Sequence, residues 1–331
     1  MGPDDLDGRV DAVIAESRFS GVVRVDVDGE TVLARAAGWA HRAHRVPMTV
    51  ATRLAIASAT KGLTALTVLA LAADGTLPRA TSARELLGPD LPLVDDRVTV
   101  EHLLAHRSGI GDFLDESAAG PIDEHVLTVP VHTLADTESY LAVLDGHPQA
   151  FAPGERFAYC NAGYVVLALL AERATGTPFP DLVDARVGRP AGLADTAFLR
   201  SDALPAGAAL GYLDAEGDRT NVLHLPVRGS GDGGAFSTVA DIHRLWASID
   251  PDVAALAWAP RSAVPEEGMR YGLGFWLHPT GPAVALEGYD AGVSFRSVHD
   301  PVGRTTHTVI ANWSDGAWPL ARLLRDVVTG W

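Results

Sequence analysis

The placement of strand-like runs constrains the fold of this chain more than any other feature. Two runs, 21–27 and 31–38, flank Asp28-Gly29 near the start and read as a β-hairpin. Four more, 271–278, 283–287, 293–299 and 306–312, lie close together near the other end. Between them the chain is Pro-punctuated and helical where it is regular, at 58–73, 100–106, 137–144, 161–175 and 179–187. A further helix, 237–249, follows a Gly-rich entry at 229–234. Residues 6–18 carry Leu6, Val10, Val13 and Ile14 on one helical face, and 317–328 closes the chain as a last helix. Strands at both ends and helices between them predict an α+β fold, an α/β sandwich. One antiparallel sheet from the N- and C-terminal segments is flanked by helices, with a mostly helical subdomain inserted. The expected division is 1–60 plus 231–331 for the sheet domain and 61–230 for the helical one, with the active site at the seam.

Charge narrows the partners. The 331 residues carry 26 Lys+Arg against 42 Asp+Glu, a net −16, which argues against nucleic acid and anionic membrane surfaces. A single cysteine, Cys160, cannot form an internal disulfide. The first ten residues place acids where a signal peptide needs a basic region and an apolar run. No stretch reaches the roughly 18 apolar residues of a membrane span. A cytoplasmic protein is the expectation, and oligomeric state is left open.

Lys61 is the only lysine; every other basic residue of the Lys+Arg set is arginine. Arginine keeps its proton in proteins, whereas a buried lysine can be tuned to release one. Lys61 lies three residues after Ser58, and three residues along a helix return to the same face one turn on. A serine at a helix N-terminus also has its backbone N–H free to meet a developing oxyanion. With 15 serines among 331 residues, the spacing by itself is a coincidence of about 1 in 20. Tyr159-Cys160-Asn161 follows a Pro153-Gly154-Glu155 turn and opens the 161–175 helix. Asn161 reads either as an N-cap or as a site residue. Tyr159 reads either as a buried aromatic or as a phenol that an adjacent ammonium helps to act as a base for a serine.

Six segments in order resemble the serine β-lactamase-like, penicillin-recognising family. That family includes class C β-lactamases, serine DD-peptidases, D-amino-acid peptidases and related esterases. The segments are 52–67 (TRLAIASATKGLTALT), 100–110 (VEHLLAHRSGI), 151–176 (FAPGERFAYCNAGYVVLALLAERATG), 232–241 (DGGAFSTVAD), 271–276 (YGLGFW) and 286–297 (LEGYDAGVSFRS). The resemblance implies that Ser58 is the acylated nucleophile and that Lys61 and Tyr159 share its proton as a coupled pair. Asn161 would bond Lys61 and the acyl side of the substrate. A backbone N–H on the strand of the third motif would be the second oxyanion donor beside that of Ser58. The chemistry needs neither metal nor organic cofactor.

The third motif is where this chain departs from the resemblance. The family's Lys-Thr-Gly or His-x-Gly slot falls on Leu286-Glu287-Gly288, which makes the Tyr289 N–H the oxyanion donor; a second register puts Tyr289-Asp290-Ala291 there. Neither register holds the basic residue that faces a substrate carboxylate. An acid, Glu287, at the cleft edge favours a small ester or amide with a neutral or cationic acyl part, unless an arginine pairs with it. A β-lactamase or DD-peptidase would need a substitute cation such as Arg296. An acyltransferase in a biosynthetic pathway would use the same acyl-enzyme, and a non-catalytic binding module would keep the scaffold without the chemistry. His102 and His106 beside Glu101 have the wrong order for a His-Glu-x-x-His zinc site. Cys160 reads as a small buried side chain, and Trp39, Trp246, Trp258, Trp276, Trp313 and Trp318 read as core.

Overall fold

The computed structural model describes residues 3–114 and 120–331. Its centre is an eight-stranded antiparallel sheet built from both ends of the chain. The strands are β1 (Gly21–Val27), β2 (Glu30–Ala37), β3 (Ser262–Val264), β4 (Met269–Tyr271), β5 (Trp276–Leu277), β6 (Val284–Asp290), β7 (Val293–Asp300) and β8 (Thr305–Ala311). Their spatial order is β2-β1-β8-β7-β6-β5-β4-β3. The N-terminal hairpin thus joins the C-terminal strands through β1 and β8, in a register that opposes Val23 to Val309 and Val25 to His307. Asp28 and Gly29 both have positive φ, 52° and 84°, as the tight turn between β1 and β2 requires.

Alternation along the strands decides which helices cover which face. Val23, Val25 and Leu33 join Val309 and Ala311 under Val10 of α1 (Pro3–Glu16) and Leu320 of α6 (Trp318–Leu324). On the other face Val22, Leu286, Phe295 and Ile310 belong to a larger core. That core runs through α2 (Thr60–Ala73), α3 (Val100–Leu104), α4 (Asn161–Thr175) and α5 (Val239–Ser248). It is continuous from the sheet into the helical region, so α2 and α4 are wrapped in apolar side chains on nearly all sides. Among the described residues no helix is long and apolar enough to cross a membrane.

Two expectations change in detail. The run 271–278 is a hairpin and not one strand: β4 ends at Tyr271 and β5 starts at Trp276, with Tyr271 paired to Trp276. Gly274 (φ 86°) makes the turn, and a Cβ there would stand 2.3 Å from the Ala65 Cβ of α2. Leu273 and Phe275 therefore dip into the core, both fully buried. The tryptophans also divide. Trp246 is core, but Trp39 is 43% exposed on a short ribbon and Trp276 is only half-buried. Gly274→Ala should lower stability by about 2–4 kcal/mol, through a left-handed backbone and a collision with α2 together. Denaturant unfolding checks this; a loss under about 1 kcal/mol would mean that the turn does not lock the sheet to α2.

Candidate active site

Ser58 lies in a single tight turn of 3₁₀ helix, Ala57–Ala59, that runs straight into α2. Residues three apart eclipse in such a turn, and Lys61 Nζ donates to Ser58 Oγ at 2.9 Å. Nζ also donates to Asn161 Oδ1 at 2.7 Å and to the main-chain oxygen of Asp232 at 2.7 Å. These three oxygens match the three N–H bonds of an ammonium, on a side chain only 2% exposed. The rings of Tyr159 and Tyr164 flank it, with centroids 4.8 and 5.7 Å from Nζ. Ser58, Lys61, Tyr159 and Asn161 therefore meet at one point of the fold.

The backbone before the serine is bent to make this possible. Ala57 has φ 44°, a left-handed conformation unusual for alanine. Its carbonyl accepts from Thr60 Oγ1 at 2.7 Å, and that oxygen accepts from the Ala235 N–H at 3.1 Å. Ile56 N–H donates to the Ala235 carbonyl at 2.9 Å. The Gly-rich segment ending at Ala235 thus braces the turn, and its Asp232 carbonyl holds Lys61.

Two residues that the sequence does not mark as belonging to the site organise it. Asp112 accepts from the N–H groups of Asn161 (2.6 Å) and Ala162 (2.9 Å), the first donors of α4. Its carboxyl lies above the usual range because it is buried, although three backbone N–H groups and Lys61 pull the other way. Asp112 serves as the helix cap, so Asn161 does not, and the Asn161 amide oxygen is left for Lys61. The available signal was Cys160, a residue that cannot cap, immediately before the helix. His106, the second residue, accepts from the Cys160 N–H through Nδ1 at 3.1 Å. Cys160 itself is buried, and burial pushes its thiol well above the ordinary value, as for an inert small side chain. His102 uses Nδ1 to accept from the Thr99 N–H at the start of α3.

The strand β6 supplies the third side. A Cβ at Gly288 would stand 2.2 Å from the Ile56 carbonyl oxygen and 3.2 Å from the Ala59 nitrogen, so only glycine lets the strand lie against the Ser58 turn. Asp290 opposes Val293 across the two-residue Ala291-Gly292 turn, and Tyr289 opposes Ser294. In such a hairpin the pair beside the turn exchanges hydrogen bonds, and alternate pairs point their amides outward. By that parity the Tyr289 N–H faces the edge of β6 beyond Ala285, where β5 no longer pairs. The side chains differ from expectation. Leu286 packs on Gly62 of α2, 3% exposed. Glu287 is ion-paired with Arg296, its cross-strand partner, so neither the acid nor the arginine is a spare charge. Burial raises the Glu287 carboxyl above its ordinary range, against the pull of Arg296.

An open cleft of about 750 Å³ adjoins Ser58 on the Tyr159 side, walled by Trp276, Phe157 and Tyr289. Tyr159 and Trp276 are nearly parallel, with centroids 6.1 Å apart. Among the described charged residues at its wall, Asp112, Glu266, Glu267 and Glu287 outnumber Arg156. A smaller cavity of about 70 Å³ lies beyond the Asp232–Gly234 segment, lined by Leu204, Val222, Leu225 and Phe236 together with Asp232 and Asp290.

A hydroxyl and a buried amine one turn apart, with a phenol ring over the amine and a glycine-bearing strand edge across from them, meet at the seam of an α+β sandwich. The chain belongs to the beta-lactamase family, whose model matches residues 6–327. It is 35% identical to esterase EstB of Burkholderia gladioli over 217 residues, 64% of this chain and 55% of that protein. It is 30% identical to a D-aminopeptidase of Brucella anthropi over 328 residues, 94% of this chain and 59% of that one. The chain therefore spans between half and two thirds of the length of these curated relatives. The crystal structure of a penicillin-binding protein from Bacillus halodurans superposes with a TM-score of 0.89 at 31% identity, covering 96% of this chain and 99% of that one.

Gly288→Ala should lower kcat/KM on an activated ester by about 10²-fold or more, because the methyl group displaces the Ser58 turn. Steady-state kinetics, with circular dichroism to confirm the fold, measures this. A change under about threefold would show that the strand and the turn can separate without consequence.

Proposed function

We propose that the protein is a serine hydrolase that forms an acyl-enzyme on Ser58 and acts on a small ester or amide. The observation that carries this is the triple contact of Lys61 Nζ with Ser58 Oγ, Asn161 Oδ1 and the Asp232 carbonyl beneath the Tyr159 ring. Ser58 Oγ attacks the substrate carbonyl as its proton passes to the Lys61–Tyr159 pair, which before the attack carries one proton fewer than an ammonium and a phenol together. The N–H groups of Ser58 and Tyr289 hold the oxyanion. The leaving group departs with a proton returned by the pair, and water cleaves the Ser58 ester to release the acid. The proton donor must reach the leaving atom. The leaving group therefore belongs in the large cleft on the Tyr159 side, and the acyl group belongs towards Asn161 and the Asp232–Gly234 cavity.

The charge pattern favours a neutral or cationic acyl part. Glu287 is neutralised by Arg296 and the open cleft takes the leaving group, so the preference rests on Asp232 at the apolar cavity. Burial pushes the Asp232 carboxyl up to about 6, against the pull of Lys61. It ionises as pH rises through that value. The ratio of kcat/KM for an amino-bearing ester over its neutral isostere should then rise between about pH 5 and pH 7, and Asp232→Asn should flatten it. A β-lactamase or DD-peptidase reading finds no spare cation in the third motif, because Arg296 is engaged by Glu287 and lies over Trp331.

Incubation with p-nitrophenyl esters, D-amino amides and nitrocefin, read by turnover and by intact mass, tests the assignment. Esters or D-amino amides should be turned over and nitrocefin should not, with an acyl adduct mapping to Ser58. Ser58→Ala and Lys61→Ala should each lose about 10³-fold or more in kcat, and Lys61→Arg should not restore it. Near-full activity in Lys61→Arg would remove the proton relay. Absence of any adduct across the panel would leave a binding module.

A further inference from the structure

His106 is 1% exposed, takes no part in the reaction proposed above, and is built into the segment that carries Tyr159 at two points. Its carbonyl oxygen accepts from the Ala158 N–H at 2.9 Å, and its Nδ1 accepts from the Cys160 N–H at 3.1 Å. The two bonds fall on the residues immediately before and after Tyr159, so they fix the backbone on both sides of the phenol. The imidazole also packs on the Tyr159 ring itself, centroids 4.4 Å apart and planes 36° apart. The rings of Tyr164 and Tyr271, each 4.9 Å away, and of Phe157 at 5.8 Å close the box.

We propose that His106, as the neutral Nε2–H tautomer, is the positioning residue that sets the orientation of Tyr159 over Lys61. The inference rests on the assignment of Tyr159 to the proton relay. A ring nitrogen that accepts an N–H bond carries no proton, so the single ring proton sits on Nε2. Nε2 has no hydrogen-bond partner among the described residues and is enclosed by aromatic rings. The titratable groups packed around the imidazole are Lys61 from α2, Tyr159 and Cys160 from the segment before α4, Tyr164 from α4 and Tyr271 from β4. Burial, and behind it the Lys61 charge, hold His106 well below the ordinary histidine value. A second cation is thereby kept away from the relay, and the Nδ1 acceptor persists across the working pH range.

The backbone explains which substitutions separate these roles. His106 has φ 52°, the left-handed region that asparagine adopts most readily among non-glycine residues. His106→Asn keeps that conformation and presents Oδ1 where Nδ1 stood, while His106→Phe keeps a ring and loses the acceptor. On a turned-over ester, His106→Asn should stay within about fivefold of the parent in kcat with an unmoved acid limb. His106→Phe should lose about 30-fold in kcat with KM within about threefold, and its acid limb should shift by about half a pH unit or more.

Two controls run beside them. Tyr159→Phe tests the relay itself: if it keeps parental kcat, the relay reading fails. If it loses kcat while both His106 variants keep parental kcat and limb, the positioning role alone fails. Leu182→Ala, a buried truncation in the Phe179–Val183 helix, should lower the melting temperature without moving the limb; an equal shift there would overturn the role. Should His106→Phe not fold, ¹⁵N-histidine NMR of the parent protein decides: an Nε2–H neutral ring between about pH 5 and 9 supports the role, and an imidazolium or Nδ1–H ring overturns it.

Discussion

A charge held away from water is the constraint on which this structure turns. Lys61 is almost fully enclosed, and an ammonium in such a place is tolerated only if its hydrogen bonds are supplied in place of solvent. The oxygens come from three distant parts of the chain: Ser58 one turn before it, Asn161 a hundred positions later, and the Asp232 carbonyl beyond the helical region. Satisfying that one amine forces the first turn of α2, the first turn of α4 and the Gly-rich segment after position 228 to converge. The same convergence brings Ser58, Lys61, Tyr159 and Asn161 together.

The two helix turns and the strand that faces them are each held by a local device. Thr60 and Ala235 lock the bent turn around Ser58. Asp112 caps α4 from another loop, which releases Asn161 from capping. Gly288 lets β6 approach within a distance that any side chain would prevent. These devices cost stability individually, through a left-handed alanine, a buried carboxylate and a glycine inside a strand. They are supported by a core continuous from the sheet through α2 and α4.

Much of this was legible along the chain because it is local. Strand-like runs marked β1, β6, β7 and β8, and the helix opening at Asn161 was placed to the residue. The Ser58–Lys61 pair was legible because three residues of helix is a fixed geometry whatever surrounds it. The hairpin at 271–278 was missed because two glycines among apolar residues fit a strand as well as a turn. Packing of Gly274 against Ala65 decided between them. His106 and Asp112 went unread as site residues for a different reason: a polar residue in a loop carries no mark of being buried until its neighbours are known.

The sequence by itself determined the secondary structure at both ends, the Ser58 hydroxyl and the Lys61 amine one turn apart, and the absence of a basic residue from 286–291. Each of these depends on residues adjacent in the chain or on simple composition. Only the tertiary structure decided that Glu287 is neutralised by Arg296, that Trp276 walls a cleft, that Asp112 bonds the Asn161 N–H, and that His106 bonds the backbone on either side of Tyr159. Those are pairings between residues 9 to 54 positions apart or walls of a shared space. Chain order does not encode such contacts directly, since they exist only once burial and packing have brought the segments together.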